Sequence, residues 1–344
     1  MQTKHRIALI GLGAGATSHA QSLVDLGARV EVAAAYTRSK ERATAFASCS
    51  AFPLVNDLGG IEKDRSINCV LIATPPSSHL ELVERFARAG KHILLEKPIE
   101  ISTPKAEAVV DICAKHQVKL GVVFQHRFRP GALALANLLE SKTLGKIVGA
   151  NVSVPWWRPQ SYYDEPGRGT LSRDGGGVLI TQAIHVLDLF LSLTGGISEV
   201  MAYTDTTVIH RMETEDIAAA AIRLNSGGIG TLSATTASYP GHKEVIEITG
   251  ESGTARLQAR FLEVQFHDGK RRQVGEAIAM GGGANPIAFT HEEHRAVLTE
   301  FLNAVEQQRD PTNSGRDALR VHYLIDALLP SSRLHAPAVV KNLS

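Results

Sequence analysis

Cysteine is scarce in this chain: Cys49, Cys69 and Cys113 are its three, and no two form a Cys-x-x-Cys pair. That spacing argues against a disulfide framework or a zinc site, and it fits a reducing compartment, so a cytoplasmic protein is expected. Charge imbalance is equally small. The 36 Lys and Arg against 35 Asp and Glu leave +1, with no basic block, which argues against a nucleic-acid partner. Long apolar runs are missing as well. No stretch approaches the roughly 18 uninterrupted apolar residues of a membrane span. The apolar segment after Lys4-His5-Arg6 is punctuated by glycines, unlike a leader peptide. No membrane partner is expected, and no internal repeat or low-complexity tract stands out.

What is present is globular material. With 344 residues, 44% hydrophobic and 21% charged, the chain has enough for about two domains. The first signal is a strand, a glycine turn and a helix in immediate succession. Arg6 to Ile10 is a compact apolar strand, Gly11-Leu12-Gly13-Ala14-Gly15-Ala16 follows, and Ser18 to Leu26 has helical character. Gly11 permits the tight turn, Gly13 lets backbone approach a pyrophosphate, and the small Ala16 lets helix and strand pack closely. Phosphates then meet the helix N-terminus.

A second strand, Val30 to Tyr36, leads into Thr37-Arg38-Ser39-Lys40. An NAD site usually places a carboxylate near there to accept from the ribose 2′-hydroxyl. None stands at this strand end. A guanidinium with two hydroxyls suits a 2′-phosphate, so NADP is expected ahead of NAD, with Thr37, Arg38 and Ser39 as contacts. Asn68 to Ala73, His92 to Leu95 and Lys119 to Phe124 are further strands. Between them lie a helix with Ser78 and Glu81 at capping-box spacing and another opened by Thr103-Pro104. This alternation predicts a doubly wound parallel sheet, a Rossmann domain, over residues 1–125.

His92-Ile93-Leu94-Leu95 is apolar without alternation, as in a strand covered on both faces, and it ends in Glu96-Lys97-Pro98. Proline cannot donate to a ladder, so Pro98 ends the pairing and leaves Lys97 at the carboxyl end of a buried strand. Open α/β sheets bind ligands along that edge. Gly11-Leu12-Gly13, Ala73-Thr74-Pro75-Pro76-x-x-His79, Ala89-Gly90-Lys91-His92 and Glu96-Lys97-Pro98 stand in an order that resembles the glucose–fructose oxidoreductase/inositol dehydrogenase/rhizopine family, Gfo/Idh/MocA. The resemblance implies cofactor contacts at Thr74, Pro75, His79, Glu96, Lys97 and Gln125. It also implies a nicotinamide-dependent oxidoreductase acting on a sugar, a sugar derivative, a cyclitol or a cyclic diol.

After Gln125-His126-Arg127-Phe128 the pattern changes. Pro130 to Ser141 is helical. Ile147 to Trp156, Glu199 to Val208, Asp216 to Leu224, Ile229 to Ser238, Glu244 to Thr249 and Thr254 to Gln258 are strand-like, with a hairpin across Asp268-Gly269. Residues 126–344 are therefore expected to form an α+β domain on a large, open, mainly antiparallel sheet. The resemblance implies that one face of this sheet pairs subunits into a homodimer or homotetramer. Gly281-Gly282-Gly283-Ala284 is expected as a mobile loop, and Thr290 and Glu293 as caps of a last long helix. His291-Glu292-Glu293-His294 imitates a zinc motif, but its histidines are three apart, so exposed capping residues are expected and no metal.

The second chemical constellation runs from Asp174-Gly175-Gly176-Gly177 to Asp188. As one continuous helix from Val178, it would place Thr181, His185 and Asp188 within roughly 60° of one another on a buried face. Buried polar stripes need partners. In the resembling enzymes an Asp-x-x-x-His element supplies the acid/base histidine. His185 matches that histidine, and Thr181 stands where the aspartate would be. A hydride leaving carbon requires the hydroxyl proton to be taken up, which suits an imidazole with a pKa near about 6.5. Lys97 can hydrogen-bond the same oxygen as charge develops on it. Trp157-Arg158 resembles a cofactor-contacting element, while Tyr162, Tyr163, Arg168 and Gln182 are expected at the substrate, with His126 and Arg127 at the rim. Two other functions remain open: an NAD-dependent glycosidase that oxidises transiently, and a dinucleotide-sensing regulator without turnover.

Overall fold

A computed structural model of the chain describes residues 4–275 and 290–343. Its first elements are β1 (His5–Ile10), α1 (Ala16–Asp25), β2 (Val30–Tyr36), α2 (Lys40–Ala47), β3 (Leu54–Val55) and α3 (Leu58–Lys63). Then come β4 (Cys69–Ile72), α4 (His79–Arg88), β5 (His92–Leu95), α5 (Thr103–Lys115), β6 (Leu120–Val122), α6 (Pro130–Glu140) and β7 (Ile147–Pro155). Four helices follow, α7 (Gln160–Tyr163), α8 (Leu171–Asp174), α9 (Val178–Thr181) and α10 (Ile184–Thr194). The strands β8 (Ile197–Asp205), β9 (Ile217–Leu224), β10 (Ile229–Thr235), β11 (Val245–Gly250), β12 (Gly253–Gln258), β13 (Phe261–Phe266) and β14 (Arg271–Val274) come next. The chain ends with α11 (Glu292–Glu306), α12 (Gly315–Leu334) and β15 (Ala338–Val339). Two compact units result, one of residues 4–125 with 290–319, the other of residues 126–275 with 320–343.

The first unit carries a six-stranded sheet in the order β3-β2-β1-β4-β5-β6, every pairing parallel. Ile7–Ile10, Cys69–Ile72 and Ile93–Leu95 are each at most 1% exposed, so the sheet is covered on both faces. Because all strands run one way, the residues that follow β1, β2, β4, β5 and β6 gather along one edge. The expected domain division needs one correction, since residues 290–319 belong to this unit. Helix α11 packs on α1 and β5, Phe301 lies against the Cα of Gly121, and Val122 N–H donates to the Asn313 carbonyl. The apolar side of α11, with Val297, Leu298, Phe301 and Leu302 all buried, finds its cover here. Nor is α11 the last helix, because α12 follows with 20 residues. Two expected caps also differ. Residue His291 occupies the α11 N-cap position without a side-chain capping bond, and the Ser78 hydroxyl donates to Thr74 Oγ1 and the Pro75 carbonyl rather than capping α4.

The second unit carries a nine-stranded sheet, β14-β13-β12-β11-β7-β10-β9-β8-β15. Its pairings are antiparallel except β7 with β10. Alternation is clear: Ala150, Val152 and Val154 of β7 face inward, buried, and α10 packs on that strand. The other face is open, with Ile229 62% and Tyr203 61% exposed. Gly281-Gly282-Gly283-Ala284 lies outside the described residues. Among those described, no single helix is long and apolar enough to cross a membrane.

Candidate active site

The edge of the first sheet begins at Gly11. Its φ is +96°, its N–H donates to the Tyr36 carbonyl (2.8 Å), and a Cβ there would stand 2.6 Å from the Ala73 oxygen. Only glycine fits that turn. Ala16, fully buried, begins α1, whose N-cap Gly15 offers no side-chain bond. The exposed glycine turn thus presents a helix N-terminus suited to an anionic group, as a dinucleotide pyrophosphate requires. At the end of β2, Arg38 is exposed, and Ser39 is the N-cap of α2. The Ser39 hydroxyl accepts from Arg42 N–H (3.2 Å) and donates to Glu41 Oε2 (2.6 Å), a bond that holds the Glu41 carboxyl below its ordinary pKa. Arg42 was not singled out from sequence. Its Nη1 lies 3.7 Å from where a Gly13 Cβ would be, which adds a second cation beside the glycine turn.

Farther along the edge, the turns after β4 and β5 are tied together by His79. This residue is 0% exposed, with Nε2 3.0 Å from the Thr74 carbonyl and Nδ1 3.1 and 3.0 Å from those of Pro98 and Ile99. Burial pushes its pKa down. His79, expected from the motif as a cofactor contact, is thus buried behind the edge and staples the two turns together. Thr74 and the exposed Pro75 stand in front of it, on the edge itself.

Glu96 and Lys97 follow β5 directly. One Glu96 oxygen bonds His19 Nε2 of α1 at 2.7 Å, and the other accepts the Lys97 backbone N–H at 3.0 Å. Burial opposes ionisation of this carboxyl, but the His19 hydrogen bond and nearby positive charges outweigh it and bring the pKa to about 2. His294 of α11 completes the cluster, its ring edge-on to His19 with centroids 5.1 Å apart. The expectation of exposed capping residues at 291–294 thus fails for His294. Burial, helped by the charge of His19, lowers its pKa to about 4. Gln125, just past β6, keeps its Oε1 buried with no hydrogen-bond partner among the described residues.

In the second unit the polar groups converge on α10. Gly177 sits so close to the Glu215 carbonyl that any Cβ would overlap it. The Glu215 carboxylate accepts from Gly177 N–H and Leu179 N–H, both at 3.1 Å, and burial raises its pKa. This grip starts α9, but the expected continuous helix breaks at Gln182 and Ala183, with 50° between the flanking segments. Thr181 therefore stands before the helix break, and His185 and Asp188 after it. The Thr181 hydroxyl donates to the Gly177 carbonyl at 2.6 Å, an i−4 back-bond that favours bending. His185 and Asp188 share α10. Arg127 holds Asp188 through two bonds, Nε at 2.6 Å and Nη2 at 2.5 Å, and the His126 ring lies 5.0 Å from that of His185 at 31°. Arg129 donates to His126 Nε2 (2.7 Å) and to Glu244 (2.6 Å). Glu215, Arg129 and Glu244 carry no local motif, so sequence reasoning passed over them.

The expected substrate residues form a second network in this unit. Gln182 accepts from Arg158 Nε (3.1 Å) and donates to the Tyr162 hydroxyl (2.7 Å), which also accepts from Arg168 (2.7 Å). Arg168 lies 4.2 Å over the Tyr162 ring. Tyr163 turns inward instead. It is buried, its hydroxyl is bonded to Thr236 (2.6 Å), and burial raises its pKa to about 12. Arg158 is buried as well and donates to Trp157's carbonyl, while the Trp157 ring packs near His210 and Tyr239. Both belong to this network of the second unit.

Both units have counterparts among known proteins. Residues 5–124 match the model of an oxidoreductase family with an NAD-binding Rossmann fold, and residues 132–256 match the GFO/IDH/MocA C-terminal domain. Inositol 2-dehydrogenase of Rhizobium meliloti is 26% identical over 337 residues, covering 95% of this chain and 96% of the relative. D-apiose dehydrogenase of Paraburkholderia graminis is 25% identical, covering 98% and 90%. Among solved structures, the WlbA dehydrogenase of Bordetella pertussis, in complex with NADH and UDP-GlcNAcA, superposes with a TM-score of 0.84 at 27% identity, covering 99% of this chain and 100% of that one.

Proposed function

The chain belongs to the GFO/IDH/MocA oxidoreductases, and from that premise we propose that it moves hydride between a nicotinamide cofactor and a secondary hydroxyl or carbonyl of a sugar, sugar derivative, cyclitol or cyclic diol. One observation carries the proposal. Gly11, Thr37, Thr74 and Lys97 all follow strands of one parallel sheet, on the edge where such sheets take dinucleotides. The nicotinamide, when bound, supplies the hydride chemistry. Lys97 donates its ammonium hydrogen bond to the substrate oxygen and stabilises the charge that builds there. His185 takes the hydroxyl proton in oxidation and returns it in reduction.

NADP is our preferred cofactor. Arg38 and Arg42, two cations between the end of β2 and the glycine turn, support it, because a 2′-phosphate is best met by guanidinium. The network of Tyr162, Gln182 and Arg168 supplies donors and an acceptor suited to substrate hydroxyls. The open sheet face with Tyr203 and Ile229 is the surface through which we expect the homo-oligomer to form.

Fluorescence titration with NADPH and NADH, followed by a panel of polyols, aldoses and cyclic diols, tests the whole reading. Net cofactor reduction with a free polyol or diol is the expected result. Glycoside cleavage without net reduction would mark a glycosidase, and cofactor binding without any turnover would mark a regulator.

A further inference from the structure

Beneath Lys97 lies a polar cluster that the proposed reaction does not itself use. His19 from α1, Glu96 after β5 and His294 from α11 bring one ligand-type atom each within 4.8 Å of one another. His19 is 1% exposed, and the Nδ1 atoms of both His19 and His294 are buried with no hydrogen-bond partner among the described residues. Two histidines and a carboxylate are a composition that zinc accepts. The hydrogen bonding argues otherwise. A metal-bound imidazole normally donates its other N–H to an acceptor that fixes the ring. Bound through Nε2, these rings would leave Nδ1–H without one. Bound through Nδ1, His19 would keep Nε2–H on Glu96, and the carboxylate would stand outside the coordination sphere.

The same geometry fits a clamp. Glu96 is the residue before Lys97, and its two oxygens are divided: one accepts from His19 Nε2–H at 2.7 Å, the other from the Lys97 backbone N–H at 3.0 Å. A carboxylate that accepts in both directions is fixed in rotation, and so is the peptide it grips. On the far side of Lys97, His79 bonds the Pro98 and Ile99 carbonyls. His294, edge-on at 5.1 Å, limits the rotation of His19. We propose that His19 is a positioning residue, which through Glu96 sets the backbone of Lys97 and hence where its ammonium meets the substrate oxygen. The inference rests on the catalytic reading of Lys97. His19 and Glu96 themselves move no proton in the reaction.

The test compares His19→Leu, which keeps bulk and removes the donor, with His19→Gln, whose amide can reach Glu96 from about the place of Nε2. Misplacing a catalytic group by about an ångström can lower the rate by up to roughly a hundredfold. For His19→Leu we expect kcat to fall roughly tenfold or more while Kd for the reduced cofactor and KM stay within about twofold; His19→Gln should recover to within about threefold of the parent. If the leucine variant does not fold, Glu96→Ala is measured in its place, with the same expected fall in kcat. Unchanged kcat, or equal loss in the leucine and glutamine variants, would overturn the clamp. So would stoichiometric zinc in the purified parent protein by mass spectrometry, lost on His19→Leu. Lys97→Ala, assayed in parallel, separates the two levels: if it leaves kcat intact, the catalytic reading of Lys97 fails first, and the clamp with it.

Discussion

Lys97 in the first unit and His185 in the second are held by different means. Lys97 follows β5, a strand whose backbone pairs with β4 on one side and β6 on the other, and its peptide is gripped by its own neighbour Glu96. His185 sits on a helix that starts after a helix break and is secured by side chains from distant segments, Arg127 on Asp188 and Glu215 at the start of the preceding α9. A backbone lattice survives the loss of single side chains because its bonds are many and local. A side-chain network does not, because each buried charge depends on its partner. The first unit should thus be robust to substitution away from its glycine turn, and the second should be brittle around α10.

The largest effect should come from breaking the Arg127–Asp188 pair. Asp188 is 2% exposed, so Arg127→Met leaves its carboxylate buried without the guanidinium, which is expected to cost about 3–5 kcal/mol in urea unfolding. Adding Asp188→Leu should restore most of that. A loss under about 1 kcal/mol would place the anchor of α10 elsewhere.

Acid should expose the next difference. His322 is 2% exposed, and burial lowers its pKa from 6.5 to about 4. Between these values the unfolded chain binds the proton and the native one does not, so stability falls as pH drops through that window, by about 3 kcal/mol at its lower end. His322→Leu should flatten this part of the pH–stability curve. An unaltered curve would mean that the imidazole is already charged in the native state.

Lys97→Ala should leave cofactor titration near normal and lower turnover at least roughly tenfold, about 1.4 kcal/mol of barrier. The smallest effect is expected at Arg38, which is exposed. Replacing it with Ala should weaken NADPH binding by about 0.5–1 kcal/mol and leave NADH binding little changed. Equal losses for both cofactors would remove the 2′-phosphate role.

How much was legible in advance follows the same division. The Gly11 turn, the buried apolar runs and the Glu96-Lys97-Pro98 terminus could be read directly, because a parallel strand covered on both faces admits few alternatives. The alternation in β7 to β14 was legible too, although the parallel pairing of β7 with β10 was not, since pairing partners leave no mark on a strand's own pattern. Helical periodicity misled about the continuity of the helix after Thr181. It assumes an unbroken helix, and the back-bond to Gly177 and the break at Gln182 are not visible in apolar spacing. His79 and Tyr163 matched a motif and a chemical type, but the fold buries both.

From the residues alone it was decided that a dinucleotide fold begins this chain and that a lysine closes its fifth strand. Glycine, proline and uninterrupted apolar runs constrain the backbone within a few residues, so their consequences are local. Only the folded chain decided that His294 returns to His19 and Glu96, that Arg127 grips Asp188, and that His79 faces inward. Those outcomes depend on which distant segments come to share one buried space, and a polar side chain carries no record of the partner that will satisfy it.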